Sequence, residues 1–315
     1  MMRFGIMATG GVGGYFGAML ARSGKDVAFI ARGAHLEAMR TDGLRVESVA
    51  PGAFSVREGI FTDSPAEAGV CDVILYCVKT TANDFAIPAI APMVGADSMI
   101  VNLQNGVDNE EKLAAVYGAE RVMGGAAYIF TSIAGPGLIR QIGGPRRMVF
   151  GELGGGSSGR GDAILADLKD AEINAEYSED IEAELWTKFI FICAVGGVTA
   201  LTRSSISEIM AYEGTRNMMR ETMREVFLVG RAMGVNLPEG ADEGRYRFID
   251  EQNPASKGSL CHDLEAGRRL EIDALCGTVS RIGAEVGVET PCNDFISHTL
   301  KLADLQIAGE VKPPR

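Results

Sequence analysis

The feature that most constrains the fold is a cluster of glycines close to the N-terminus, set between an apolar run and a helical pattern. The run spans residues 3–7, the glycines stand at positions 10, 11, 13 and 14, and the helical pattern stops at Ser23-Gly24. A second apolar run, Val27 to Ala31, follows almost at once. Strand, tight turn, helix and strand within about 30 residues is the pattern of a parallel βαβ unit. We therefore predict that the chain opens as an α/β fold.

The rest of the chain changes character near its middle. Further apolar runs at 72–78, 99–103 and 122–129 alternate with helical segments near 81–91 and 109–117, which predicts a doubly wound sheet of Rossmann type. From about residue 182 onward, apolar residues recur at helical spacing and nothing strand-like persists. This half predicts an all-α C-terminal domain.

The position of the domain boundary depends on a glycine-rich tract. Residues 154–161, GGGSSGRG, look like a linker by composition. A helical pattern at 164–168 and a period-two run at 173–177 follow the tract, however, and predict one more αβ unit of the same sheet. We therefore interpret the tract as a long surface loop and predict two domains, 1–179 and 180–315. A length of 315 residues is sufficient for two cores.

Charge and cysteine usage restrict the classes of partner. The formal net charge of -12 disfavours nucleic acid as a ligand. The six cysteines include no CxxC pair and form no cluster with histidines, so we expect free thiols in a reducing cytoplasm and no metal site. The most apolar stretch, Phe189 to Leu201, is shorter than the roughly 20 residues of a membrane span and predicts a buried helix.

The glycine turn also predicts a nucleotide site. In the dinucleotide-binding fingerprint, a middle glycine lets the backbone approach a pyrophosphate and a third glycine lets the helix pack on the strand. Gly10 and Gly13 stand at these positions, whereas Ala8 replaces the first glycine and requires a turn without positive φ. The candidate cofactor residues here are Ala8, Gly10, Gly11, Val12 and Gly13. A purely structural glycine turn is the alternative.

Polar residues follow three predicted strands, where the ligand crevice of an open α/β sheet lies. Arg32 follows the second strand with no acid nearby, which favours the 2′-phosphate of NADP(H) over the ribose hydroxyls of NAD(H). Lys79 and Asn105 follow two further strands. The alternatives are solvated side chains and, for Asn105, a turn before Gly106.

The helical half contains two charged residues in apolar surroundings. Lys188 lies in LWTKFIFICAV, where it is placed in a cleft or forms an i, i+4 pair with Glu184. Glu271 borders an apolar stripe that begins at Ile272, and its alternative role is a salt bridge to Arg268.

Taken together, these motifs resemble the ketopantoate reductase (2-dehydropantoate 2-reductase) family over nearly the whole chain. The matching segments are residues 10–44, Val78-Lys79, Asn105-Gly106, Phe150-Gly151-Glu152, Lys188 with Thr199-Ala200-Leu201, Ser259 with Asp263, Gly267, Arg268, Glu271, Ile272 and Asp273, and Pro291-Cys292-Asn293.

This resemblance implies a Rossmann domain that binds NADPH and a helical domain that closes over a 2-oxo acid, which is reduced to a 2-hydroxy acid. It further implies that Lys188 is the general acid, that Glu271 orients substrate, and that Ser259, Ser256 and Asn105 contact substrate. Lys79 and Asn105 would also line the cofactor crevice. Any homodimer would form through the helical domain.

Three departures leave the substrate open. Family members carry asparagines where this chain has Ile192, Gly196 and Ser256, so its pocket is less polar. A reductase of a more apolar 2-oxo acid, as in the mandelate-type D-2-hydroxyacid dehydrogenases, is therefore an alternative to ketopantoate reduction. A regulatory protein that binds NADP without turnover is another. A 6-phosphogluconate-like dehydrogenase would require phosphate-binding cations in the helical domain.

Overall fold

Residues 2–311, which a computed structural model describes, divide into two units with separate cores. The first, here called the sheet unit, runs to Gln104 and continues over Asn109–Ile181. The second, here called the helical unit, comprises Asn105–Asp108 and the chain from Glu182 onward. The sequence predicts the change of unit at 179/180, and it gives no sign that four residues near position 105 belong with the helices.

A sheet of 10 strands forms the centre of the sheet unit. The strands are β1 Arg3–Met7, β2 Asp26–Ile30, β3 Leu44–Ser48, β4 Phe54–Val56, β5 Ile60–Thr62, β6 Cys71–Tyr76, β7 Val94–Asn102, β8 Val122–Gly135, β9 Leu138–Glu152 and β10 Asn174–Tyr177. The helices are α1 Gly11–Arg22, α2 Gly33–Asp42, α3 Pro65–Ala68, α4 Asn83–Ala89, α5 Asn109–Tyr117 and α6 Gly159–Asp170. The strand order is β4-β3-β9-β8-β7-β6-β1-β2-β5, and β10 pairs with β9.

Helices cover both faces of this sheet because successive strand residues, which point to opposite faces, are both apolar. Along β2, Val27 and Phe29 pack in one core with residues of α1, α2 and α6, whereas Ala28 and Ile30 pack in another with residues of α4 and α5. Strands β6, β1 and β2 are parallel neighbours. The predicted doubly wound Rossmann-type sheet is confirmed.

The far half of the sheet departs from a purely parallel arrangement. Strands β8 and β9 form a long antiparallel hairpin, and β3 pairs with β4 antiparallel. The glycine-rich tract is a loop only in part, because Gly159 already begins α6 and the Ser158 hydroxyl caps that helix by accepting from the Gly161 N–H. The predicted αβ unit after the tract is present as α6 and β10, which pairs with β9.

In the helical unit, no strand is present between Glu182 and residue 311. Its helices are α7 Ile181–Thr202, α8 Ile206–Ala211, α9 Glu213–Ala232, α10 Ala241–Arg247, α11 Ser259–Glu265, α12 Cys276–Val286 and α13 Pro291–Ile307. Although α7 is long and apolar enough to cross a membrane, 67% of that stretch is buried inside the protein. It is therefore a mostly buried helix, as the sequence predicts for Phe189 to Leu201. All six cysteines are free thiols.

Candidate functional site

The glycine turn between β1 and α1 is packed closely on one side and open on the other. A Cβ atom on Gly13 would lie 2.3 Å from the carbonyl oxygen of Ala8, so only glycine lets α1 sit this close to β1. A Cβ on Gly10 would meet no atom within 4 Å. The third-glycine role predicted for Gly13 is therefore observed, and Gly10 leaves its backbone accessible. Ala8 is not among the residues with positive φ, which explains how alanine is accommodated.

The N-terminus of α1 has the properties of an anion site. Gly10 is its N-cap residue, no side chain caps it, and its first turn, which includes Gly11, Val12 and Gly13, contains no acidic residue. The first N–H groups of a helix and its dipole together attract negative charge. Buried Thr9 fixes this turn, because its backbone N–H and its hydroxyl both donate to the Ile30 carbonyl, at 2.7 and 3.0 Å. The turn fits a pyrophosphate.

The predicted 2′-phosphate ligand, Arg32, lies at the start of α2. It is the N-cap residue of that helix, whose first turn also contains no acidic residue. The guanidinium lies over the ring of Phe85 on α4, with 4.5 Å between the guanidinium carbon and the ring centroid. Within residues 2–311, no carboxylate forms a salt bridge with Arg32, and its side chain is exposed. Its positive charge is therefore available to an anion.

The strand order brings the candidate cofactor residues of the sheet unit to one edge. Because β6, β1 and β2 are parallel neighbours, the residues that follow them emerge side by side. The glycine turn follows β1, Arg32 follows β2, and exposed Lys79 follows β6. The segment after β7 is joined to the segment after β6 by a buried side-chain amide, because Gln104 Nε2 donates to the Val78 carbonyl at 2.7 Å.

The helical unit brings together two residues that the sequence places 83 positions apart. Lys188 Nζ on α7 donates to Asn105 Oδ1 at 2.9 Å, and both side chains are half-buried. The Asn-Gly turn is real, since Gly106 has a φ of +122°. The family resemblance assigns Asn105 to the cofactor and the substrate, and the alternative role considered for Lys188 was an ion pair with Glu184. The contact between Asn105 and Lys188 was therefore not predicted.

Two further contacts hold the Asn105–Asp108 segment against the helices. Val107 packs on the core of the helical unit, and Asp108 accepts a hydrogen bond from the Arg281 guanidinium on α12 at 2.8 Å. Asp108 is almost fully buried, and a charged pair of this kind is stronger than a neutral hydrogen bond. These contacts and the hydrogen bond from Lys188 hold the Asn105–Asp108 segment on the helical unit.

Glu271 lies in the segment between α11 and α12, and the residues before it are fixed by a buried carboxylate. Asp304 on α13 accepts hydrogen bonds from Arg269 Nε and from the Leu270 N–H, both at 2.8 Å. Burial tends to raise the pKa of Asp304, but these hydrogen bonds prevail and the pKa is lowered. Arg268, the alternative partner of Glu271, forms an ion pair with Asp263 at 2.8 Å.

The predicted substrate serines lie in and before α11. Ser259 is exposed and begins that helix, and Ser256 is half-buried in the loop before it. This loop lies directly on α7, because a Cβ on Gly258 would be 2.6 Å from the Gly196 Cα. A Cβ on Gly196 would meet Leu260 at 3.5 Å, which is an ordinary van der Waals contact. Ile192 packs on the core of the helical unit.

Several residues that shape these regions had no usable sequence signal. Thr9 is part of the glycine turn, and only its position between Ala8 and Gly10 could have pointed to it. Nothing in the sequence relates Phe85 to Arg32, or Arg281 to Asp108. No group of three or more His, Cys, Asp or Glu side chains within residues 2–311 is placed to hold a metal ion.

Comparison with known proteins places this arrangement in a family. Residues 4–155 match the family described as Ketopantoate reductase PanE/ApbA, and residues 180–304 match its C-terminal domain. A Mesorhizobium japonicum protein named 2-dehydropantoate 2-reductase is 33% identical over 321 residues, 94% of this chain and 95% of that protein. A PanE/ApbA family ketopantoate reductase structure from Ralstonia eutropha JMP134 superposes with a TM-score of 0.90 at 32% identity, over 98% of this chain and 100% of that one. D-mandelate dehydrogenase with NADH and anilino(oxo)acetate shares the fold, with a TM-score of 0.88 at 22% identity over 98% and 100% of the two chains. This chain belongs to the ketopantoate reductase family.

Proposed function

We propose that this oxidoreductase catalyses the NADPH-dependent reduction of 2-dehydropantoate (ketopantoate) to pantoate, with Lys188 as the general acid. The observation that carries this proposal is the hydrogen bond from Lys188 Nζ to Asn105 Oδ1. It holds a half-buried ammonium group at a defined position, on a helix that is mostly apolar from Phe189 onward.

The sheet unit would hold the cofactor. The residues assigned to the pyrophosphate are Gly10, Gly11, Val12 and Gly13 with the preceding Ala8, and those assigned to the rest of the cofactor are Arg32, Lys79 and Asn105. The uncapped N-terminus of α1 supports this assignment, as does the charge of Arg32, which no carboxylate pairs within residues 2–311. When bound, the dihydronicotinamide supplies a hydride to the carbonyl carbon of the substrate.

Lys188 would act on the carbonyl oxygen. Negative charge develops on this oxygen as the carbonyl is reduced, and an ammonium group in hydrogen-bond reach stabilises the charge and then donates its proton. Asn105 Oδ1 accepts one of the three ammonium protons and so orients the remaining donors. Glu271 would orient or hydrogen-bond the substrate.

The substrate carboxylate would be bound by hydroxyl groups. Ser259 and Ser256 lie within and just before α11, in the loop that packs on α7 at Gly196. Because α7 also holds Lys188, this loop and the proposed acid share one helix as their support.

One observation favours a second substrate class, a more apolar 2-oxo acid. Gly196 lies against Gly258 and Leu260, and Ile192 packs on an apolar core, so neither position offers an amide to a substrate hydroxyl. Reduction of a 2-oxo acid without that hydroxyl uses the same lysine and the same cofactor residues.

The test is an assay of NADPH consumption with ketopantoate and a panel of other 2-oxo acids, accompanied by identification of the 2-hydroxy acid product. We expect turnover of ketopantoate. Turnover confined to apolar 2-oxo acids would replace the first substrate by the second. Tight NADP⁺ binding without turnover of any substrate would contradict the enzyme assignment and identify a regulatory protein that binds the nucleotide.

A further inference from the structure

The contact between Arg32 and Phe85 lies on the surface of the sheet unit and is not part of its hydrophobic core. Phe85 is 59% exposed and its guanidinium neighbour is exposed as well, so the contact buries little apolar surface. A single exposed phenylalanine is ordinary in a folded protein. What distinguishes this one is that a guanidinium lies 4.5 Å from its ring centroid, at the edge of the sheet where β2 ends.

From this contact we infer that Phe85 is a specificity-determining residue, which holds Arg32 in place for the 2′-phosphate of NADP(H). The inference rests on the cofactor assigned under the proposed function and adds a residue to it. Phe85 would be a positioning residue, because it acts on the cofactor through Arg32.

Chemistry favours a phenylalanine over a carboxylate in this role. An aspartate or glutamate would also fix the guanidinium, but it would neutralise the charge and occupy the N–H groups that bind a phosphate. An aromatic ring attracts the face of the guanidinium through its quadrupole and leaves the N–H edge unused. Since Arg32 forms no salt bridge within residues 2–311, its edge remains open to a dianion.

A buried hydrogen-bond network fixes the start of α4, the helix that carries Phe85. Asn83, two residues before Phe85, is 6% exposed. Its Oδ1 accepts from Gln104 Nε2 at 2.8 Å and from the Tyr76 hydroxyl at 3.2 Å, and its Nδ2 donates to Asn109 Oδ1 at 3.2 Å. This network fixes the first turn of α4, and therefore the backbone that presents the ring, before any ligand arrives.

Arg32 is the flexible partner in this contact. Without Phe85, its side chain would lose rotational freedom about several bonds when a ligand binds. Holding a side chain in its bound conformation reduces the entropy that binding must overcome. The effect applies to a ligand that contacts Arg32 through its phosphate and is absent for a ligand that lacks this phosphate. Phe85 should therefore change discrimination between NADP⁺ and NAD⁺, with little effect on affinity for NAD⁺.

The experiment measures dissociation constants of NADP⁺, NAD⁺ and 2′,5′-ADP by isothermal titration calorimetry on the full-length protein. The variants are Phe85→Ala, Phe85→Leu, Phe85→Tyr, Arg32→Ala and the Arg32→Ala/Phe85→Ala pair. The Leu variant keeps an apolar side chain without a ring, and the Tyr variant keeps the ring. Phe295→Ala removes a phenylalanine that is 57% exposed on α13 and serves as the matched control.

We expect Phe85→Ala and Phe85→Leu to weaken NADP⁺ and 2′,5′-ADP binding by about two- to fivefold, the range of an exposed cation–π contact. NAD⁺ binding by these variants should stay within about twofold of that of the unaltered protein. Phe85→Tyr, which keeps the ring, should retain NADP⁺ affinity. In the Arg32→Ala background, Phe85→Ala should cause no further loss of NADP⁺ affinity. Unchanged thermal unfolding would exclude a general loss of structure.

Two kinds of failure can be separated. Only the role of Phe85 is overturned if Arg32→Ala abolishes the preference for NADP⁺ while Phe85→Ala and Phe85→Leu leave that preference unchanged. The same holds if the two Phe85 variants weaken the binding of NADP⁺ and NAD⁺ equally. If the unaltered protein shows no preference for NADP⁺, or if Arg32→Ala does not change it, the cofactor assignment fails and the role of Phe85 fails with it.

Discussion

The two units present their candidate residues by different physical means. In the sheet unit the glycine turn acts through backbone: Gly13 permits a close approach that a single Cβ would prevent, and Gly10 leaves the helix N-terminus open. In the helical unit the candidate residues act through side chains. Lys188 and Asn105 are joined by a 2.9 Å hydrogen bond, and Asp108 is held by Arg281 on another helix.

This difference determines what a substitution does in each unit. A change in the glycine turn alters shape, so it should affect folding and cofactor binding before any chemical step. A change at Lys188 removes a proton donor from a helix whose core contacts persist, so it should affect turnover and leave the fold intact. Substitutions in the two units should therefore separate binding from chemistry.

The largest effect is expected at Lys188. Lys188→Ala removes the proposed proton donor, and we expect the turnover number to fall by about a hundredfold or more while NADP⁺ affinity is nearly unchanged. Steady-state kinetics and a binding titration measure the two quantities. Lys169→Ala, which removes an exposed lysine on α6, is the control and should keep full activity. A fall of less than fivefold would show that Lys188 serves as a structural partner and not as the acid.

The next effect compares two glycines of one turn. Gly13→Ala places a Cβ 2.3 Å from the Ala8 oxygen, a backbone atom that cannot move aside cheaply, and should lower the free energy of unfolding by about 3 kcal/mol. Gly10→Ala meets open space and should cost less than about 1 kcal/mol of stability. It should nevertheless weaken NADP⁺ binding, because its methyl group would lie where the proposed pyrophosphate site is.

Denaturant unfolding and calorimetric binding separate these two outcomes. If Gly10→Ala binds NADP⁺ as tightly as the unaltered protein does, the turn is a structural one and the nucleotide site lies elsewhere. If Gly13→Ala unfolds at the same denaturant concentration as the unaltered protein, the close packing of α1 on β1 is not required.

The fold was readable from the sequence where structure depends on local spacing. The turn between β1 and α1, the α/β alternation and the helical second half all follow from periodicity and glycine positions. The β8–β9 hairpin was missed because only the first part of β8 is a buried apolar run, while the residues on either side of the hairpin turn mix exposed, partly buried and buried positions. Strands β4 and β5 are three residues each, too short to show a period.

The site was readable only in part, for the same reason. The individual candidates stood at strand ends and in an apolar helix, but the partners that fix them are distant in sequence. The contact between Asp108 and Arg281 joins residues 173 positions apart, and no local pattern relates them. The segment that holds Asn105 follows directly on β7 yet packs with the helical unit, a result of tertiary packing.

Arg32 is the test of whether the sheet unit acts through backbone alone. A charge-assisted bond to a phosphate contributes roughly 1.5–3 kcal/mol, which is about tenfold to a hundredfold in preference for NADPH over NADH. Arg32→Ala should remove that preference. Arg40→Ala, also on α2, is the control. It makes the same change in charge, but the Arg40 guanidinium donates to the Phe61 carbonyl and is not assigned to the cofactor. Equal specificity constants for NADPH and NADH in the unaltered protein, or a preference that survives Arg32→Ala, would contradict the assignment.

The smallest expected effect concerns the substrate and tests whether the helical unit offers a partner to a substrate hydroxyl. Ketopantoate and its 4-deoxy analogue, 2-oxo-3,3-dimethylbutanoate, differ only in that hydroxyl. A site that hydrogen-bonds it would prefer ketopantoate by about tenfold to a hundredfold, since an unmade hydrogen bond to a buried hydroxyl costs about 1–3 kcal/mol. With Ile192 on an apolar core and Gly196 packed on Gly258, we expect the ratio of specificity constants to lie near one. A ratio above about ten would mean that another side chain binds the hydroxyl, and Glu271→Gln would then be the first variant to measure, because its carboxylate is half-buried and accepts hydrogen bonds.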